Sequence, residues 1–271
     1  MGPGSLTESA PAPAAPESAA PGLSLGAYFD RVARVDTLPV VGHVMRIVGL
    51  VVESAGPAAS VGEICEIRTG RGPALPVEVV GFRDGRLLSV PLGDTAGVRP
   101  GDRIVSSGMA PTILVGDALL GRVIDGFGVP IDGLGPVATS DRAPLHPAAL
   151  NPLVREPVAS AIGTGVRAID ALLTCGRGQR IGVFGGSGVG KSTLLGMMAR
   201  GTEADVVVLC LVGERGREVR SFLEHDLGPR GRERSVVVVS TSDSPALARQ
   251  RAAYAATAVA EAFRDTGRHV L

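Results

Sequence analysis

Lysine is nearly missing from this 271-residue chain: of 27 basic residues only Lys191 is a lysine, and the others are arginines. Tryptophan is absent and aromatics make up 3% of the residues, which leaves few faces on which nucleobases could stack. Net charge is zero, with eleven basic against fifteen acidic residues before position 151 and sixteen against twelve after it. Such a balance lacks the basic footprint of a nucleic-acid binder. Apolar runs are short: the longest, 206–212, has strand length, far from the roughly 18 residues that a membrane helix needs, so the chain reads as soluble. Three cysteines, Cys65, Cys175 and Cys210, are odd in number and far apart, which argues against a disulfide framework and for reduced thiols in a cytoplasm. His43, His146, His225 and His269 are scattered without the spacing of a structural zinc site.

Glycine, by contrast, is abundant, with 38 residues. The run Gly185-Gly186-Ser187-Gly188-Val189-Gly190-Lys191-Ser192-Thr193 fits GxxxxGK[ST], the loop that wraps nucleotide phosphates. Residues 179–184 before it read as a buried strand, and 192–200 after it as a helix carrying Leu194, Leu195, Met197 and Met198. The glycines let backbone N–H groups converge on anionic oxygen, and the helix N-terminus adds its partial positive charge. Lys191 would bring a compact ammonium to the β and γ phosphates of a nucleotide, and the Ser192 hydroxyl a ligand for Mg²⁺. A bulky arginine does not replace lysine in so tight a cradle, so the placement of the single lysine weighs against a plain glycine-rich turn.

Residues 1–24 are rich in Pro, Ala, Ser and Gly and predict a disordered tail. From 25 to 107, short apolar segments at 40–52, 62–67, 76–82, 87–90 and 102–105 alternate with turn signals such as Asp84-Gly85 and Pro100-Gly101. That spacing predicts a small antiparallel β-barrel domain. The remainder, 108–271, opens on a Gly- and Pro-rich connection with room for one hairpin. It then alternates strand and helix: strands at 205–212 and 235–240, helices at 217–227 and 245–266. With the loop strand, this predicts a parallel α/β sheet, the phosphate site lying at a strand's carboxyl end.

Gly213-Glu214-Arg215-Gly216-Arg217-Glu218 follows the strand that ends at Val212. If that strand neighbours the loop strand, Glu214 comes near the γ-phosphate, where a carboxylate orients the attacking water. The alternative is a solvated turn whose charges pair among themselves.

Together with Asn151-Pro152-Leu153, Thr164-Gly165-Val166-Arg167-Ala168-Ile169-Asp170, Gly176-Arg177-Gly178-Gln179-Arg180 and Phe263-Arg264-Asp265, these motifs resemble the ATPases of flagellar and type III protein export. Those are relatives of the catalytic subunit of the rotary F-type ATPase. The resemblance covers about residues 25–271. It implies a RecA-like P-loop domain behind the barrel, ATP and Mg²⁺ as ligands, and a homohexameric ring in the full-length protein. It further implies Lys191 and Glu214 as catalytic residues, Ser192 at the metal, Thr193 beside the phosphates, and Arg215 linking Glu214 to a neighbouring subunit or pairing locally with Glu218. Expected partners are the export apparatus, stalk and regulator proteins, secretion substrates and their chaperones, with no nucleic acid. The expected location is cytoplasmic and at most peripheral to the inner membrane. Family members continue past the position of Leu271 into a Walker B strand, an arginine finger and a helical domain, so this chain is expected to be a truncated form with weak or no turnover. A non-catalytic nucleotide-binding or assembly module is the alternative, and an RNA-translocating hexamer a third reading, disfavoured by the acidic first half.

Overall fold

A computed structural model describes Phe29 and residues 40–271 except Arg71, Met109 and Ser187. The expected tail at 1–24, and the start of the barrel domain as read from the sequence, lie outside the described residues.

Six strands close into an antiparallel barrel: β1 Val41–Val48, β2 Val51–Ala55, β3 Ile64–Arg68, β4 Leu75–Arg83, β5 Arg86–Pro91 and β6 Arg103–Ser106, in the order β1-β2-β5-β4-β3-β6. Inward positions alternate along β2 to β5 and the first half of β1, so Val44, Val52, Cys65, Ile67, Val77 and Val79 fill the interior together with Ile104 of β6. Asp84 (φ 51°) and Gly85 (φ 72°) join β4 to β5 with both central residues left-handed, as a tight hairpin turn demands. The single strand expected over 40–52 is in fact a hairpin: Gly49 at φ 61° breaks it, and β1 pairs back on β2. Apolar periodicity runs through that turn without marking it.

After the barrel come β7 Thr112–Leu114, β8 Val123–Asp125 and β9 Arg142–Pro144, then helix α1 Arg167–Leu172 between the two-residue strands β10 Ala161–Ile162 and β11 Cys175–Gly176. The connection gives more than a hairpin. β7 pairs with β9, whereas β8 joins the parallel sheet beside the strand Ser235–Ser240. Arg122 fixes this placement, since its guanidinium grips the buried Asp132 carboxylate at 2.8 and 3.0 Å while the N–H of Val123 donates to the same group.

The rest follows the expected alternation: α2 Lys191–Gly201, β12 Val207–Val212, α3 Gly216–Ser221 running through a π-helical stretch (Phe222–Leu227) into α4 Gly228–Glu233, β13 Ser235–Ser240 and α5 Ala246–Asp265. The parallel sheet has the order β12-β13-β8, and Val270 bridges the outer edge of β12 at Val206. All six residues of β13 are buried, because α5 covers one face and the α2–α4 layer the other. Gly267, at φ 85°, stands just past the end of α5, where a left-handed residue stops a helix.

One expected strand does not form. Residues 179–184 lie outside every ladder among the described residues, with Ile181, Val183 and Phe184 exposed, Phe184 at 95%. A small cavity is lined by Gln179 and Ile181 of this segment together with Met198, Val270 and Leu271. A run apolar on both sides becomes a strand only when something pairs with it and covers it.

Candidate functional site

The local chain geometry of the glycine-rich loop is that of a turn ending in a helix. Gly188 (φ 78°) and Gly190 (φ 91°) are left-handed, and Gly190 is the N-cap of α2. Lys191 is the first helical residue, and Leu194 makes the first bond back to Gly190. The amides of Lys191, Ser192 and Thr193 therefore belong to the unsatisfied first turn and carry the helix's partial positive charge. The Lys191 ammonium curls over the loop and donates to the carbonyls of Gly185 and Gly186. Gly185 and Gly186 are exposed there, and Ser187 lies outside the described residues.

Packing behind the loop explains two more glycines. A Cβ on Gly196 would fall 2.6 Å from the carbonyl oxygen of Asp226, so α2 rests directly on the π-helical stretch. A Cβ on Gly165 would fall 2.5 Å from the Cα of Gly201, at the far end of α2. Asp170 holds that second contact by accepting from the Thr164 amide and hydroxyl and the Gly165 amide. The Thr164-to-Asp170 segment is thus a clamp on the helix that begins with Lys191.

Glu214 arrives from the sheet. Gly213 donates to Ser240 at 2.8 Å, and the Ser242 amide donates to the Glu214 carbonyl at 3.0 Å, so both flanks of the residue are tied to the end of β13. A cleft of about 660 Å³ is lined by Gly188, Gly190, Lys191, Ser192, Thr193, Glu214, Glu218 and Asp226, among others. Glu214 and Lys191 meet there although residues 179–184 are not a strand next to β12. The carboxyl end of β12 and the N-terminus of α2 open at the same end of the sheet, which is what brings them together. Burial pushes the Glu214 carboxyl above the ordinary carboxylate range, a hydrogen bond with Glu218 and its charge add to this, and Lys191 offsets part of it. Arg215 lies 3.4 Å from Glu218 and is exposed, so the local pair is present in this chain.

Sequence reading missed Glu218 and Asp226 as members of the cleft. It also missed Arg249, whose guanidinium donates to the carbonyls of Ser242 and Ser244 and so braces the turn behind Glu214. Nothing in a short polar turn before a helix signals that arrangement.

A parallel sheet flanked by helices, a phosphate-loop motif at the head of α2 and a carboxylate beyond β12, all behind a small closed barrel, define a nucleotide-binding α/β protein. The β-barrel domain of the ATP synthase alpha/beta family matches residues 44–108, and the nucleotide-binding domain of the same family matches residues 165–271. The chain belongs to the ATP synthase alpha/beta family.

It is 49% identical over 251 residues to the flagellum-specific ATP synthase of Bacillus subtilis, covering 90% of this chain and 56% of that protein. To the type 3 secretion system ATPase of Xanthomonas euvesicatoria it is 48% identical over 231 residues, covering 85% and 52%. Among solved structures it is similar to the assembled ATPase EscN of the enteropathogenic E. coli type III secretion system, with a TM-score of 0.76 and 42% identity over 84% of this chain and 55% of that one. Against EscN in complex with its central stalk EscO the TM-score is 0.78, covering 84% and 56%. The chain spans about half the length of the curated relatives it matches.

Proposed function

We propose that this chain is the barrel and nucleotide-binding portion of an ATPase that drives type III or flagellar protein export. The observation that carries the reading is the meeting of Lys191 and Glu214 in one cleft at the N-terminus of α2. Lys191 and the amides of the glycine loop would hold the β and γ phosphates of ATP, and the Ser192 hydroxyl would take the Mg²⁺. The donor set fits: an ammonium that rests on loop carbonyls can turn to phosphate, the first-turn N–H groups can donate to phosphate oxygen, and the Ser192 hydroxyl oxygen can face a cation. Bound Mg²⁺ would spread the negative charge of the phosphate oxygens. Glu214, ionised, accepts a proton from water and orients it, and its backbone ties to the end of β13 keep it in place.

The domain division proposed is a barrel over 25–107 and a nucleotide domain over 108–271. In the full-length protein these would assemble as a homohexamer around a stalk, with export substrates, chaperones and regulators as partners, in the cytoplasm at the inner face of the membrane. Similarity to EscN in complex with its stalk supports this assembly. Among the described residues no helix is long and apolar enough to cross a membrane. Because residues 179–184 stand outside the sheet, the loop they lead into lacks a rigid footing, and this chain on its own is proposed to bind nucleotide weakly and turn it over slowly.

Calorimetric titration of the 271-residue chain with ATP, with and without Mg²⁺, tests the reading. Binding should require Mg²⁺ for full affinity and disappear in Lys191→Ala. Binding indifferent to both would leave the non-catalytic module as the better account.

A further inference from the structure

Arg251 projects from α5 into the joint between the barrel and the sheet and is only 7% exposed. Its guanidinium lies 3.8 Å from the Glu78 carboxylate of barrel strand β4 and 5.1 Å from the centre of the Phe127 ring, which follows β8. The Nε–H has no hydrogen-bond partner. A buried, incompletely bonded cation is costly unless its charge is answered; Asp125 at the end of β8 answers it from within the nucleotide domain, and Glu78, itself largely buried, from the barrel. Packing around the pair is close. A Cβ on Gly126 would sit 3.0 Å from the backbone of Ala252, and His146 stacks edge-on against Tyr254 of α5 at 4.5 Å.

Two residues before Arg251 on the same helix is Arg249, which braces Ser242 and Ser244, and Ser242 in turn holds the Glu214 carbonyl. The first turns of α5 thus touch the barrel through one arginine and the Glu214 loop through another. We infer that Arg251 is a positioning residue, whose pairing with the barrel's Glu78 fixes the first turns of α5 and, through Arg249 and Ser242, the placement of Glu214. The consequence for catalysis rests on the proposed role of Glu214, whereas the mechanical coupling does not. The barrel is then more than a neighbour of the nucleotide domain: displacement of β4 reaches the carboxylate that faces the cleft.

Hydrogen exchange followed by mass spectrometry on the whole chain reads the coupling directly. Arg251→Met and Glu78→Gln should each raise exchange at 213–218 and 241–246 about tenfold, with barrel peptides over 41–48 as protected as before. Arg251→Lys, which keeps a cation facing Glu78 and Phe127, should leave those segments closer to the wild-type rate than Arg251→Met does. Wild-type exchange at 213–218 in Arg251→Met, or an Arg251→Lys variant no better than Arg251→Met, overturns the proposal. Should Arg251→Met fail to fold, Glu78→Gln, which keeps the side chain's shape, decides alone. Where turnover is measurable, kcat should fall with KM unchanged, because Lys191 and α2 lie off this path. A failure of nucleotide binding to depend on Lys191 would overturn the functional reading and leave the exchange result standing.

Discussion

Replacing Gly196 by alanine sets two effects of known sign against each other. In the interior of α2, alanine is favoured over glycine by about 1 kcal/mol through backbone entropy. Against this, the new Cβ would stand 2.6 Å from the Asp226 oxygen and 2.8 Å from its carbonyl carbon and Cβ, where ordinary contact begins at 3.4 Å. The obstacle is mainly backbone of the π-helical stretch, which cannot swing aside as a side-chain tip would. Overpacking of this kind costs about 1–3 kcal/mol, and the rigid neighbour places it at the upper end, so the net loss should be about 1–2 kcal/mol. For a unit of this size that lowers Tm by about 2–8 °C, measurable by calorimetry. Gly216, at the start of α3, has nothing within 4 Å of its virtual Cβ. Gly216→Ala should therefore leave Tm unchanged or raise it. If Gly196→Ala proved as stable as Gly216→Ala, α2 would not rest on the Asp226 backbone, and the support claimed for the loop would be wrong.

Two further outcomes follow from the charges. Glu218→Gln removes the like charge beside Glu214, one of the causes that raise its pKa. The Glu214 pKa should then fall and the acid limb of kcat/KM, or of Mg-ATP binding, should move to lower pH, an unmoved limb refuting the pairing. Asp132, whose carboxyl is held well below the ordinary range chiefly by Arg122, contributes stability that is present above the unfolded carboxylate pKa near 4 and lost as pH falls through the folded value. Asp132→Asn should lower the urea midpoint at pH 7, and the deficit should shrink below about pH 4; a deficit independent of pH would show that packing, not charge, is at stake.

The sequence made legible what depends on local chemistry and periodicity. Alternation gave the barrel, because each inward residue from Val44 to Ile104 lies on one face of a pleated strand. The GxxxxGK[ST] spacing gave the turn at Gly188 and Gly190 and the start of α2, since those backbone angles demand glycine. Partnership was not legible. The 123–125 segment looked like part of a glycine-rich link yet pairs with Val237, Val238 and Val239, and the 179–184 segment looked like a core strand yet pairs with nothing described. Both outcomes depend on which edge is free at a distance in sequence, and a periodicity of two carries no information about that.

The two halves of the cleft are therefore held by different means. Glu214 is fixed by ladder and turn bonds to β13, whose six residues are all buried, so its position shares the stability of the sheet. Lys191 is fixed through α2 alone, by the contacts of Gly196 with Asp226 and of Gly165 with Gly201, because the segment leading into its loop has no ladder. Opening of the loop should thus be a local event of lower free energy than opening of the Glu214 turn. On the proposal that this chain binds nucleotide weakly, ordering the loop amides is the cost that lowers a ligand's apparent affinity without altering the carboxylate's aim. Pairing residues 179–184 with a strand would remove that cost, so the same cleft would bind its nucleotide more tightly with no change in any residue that touches it.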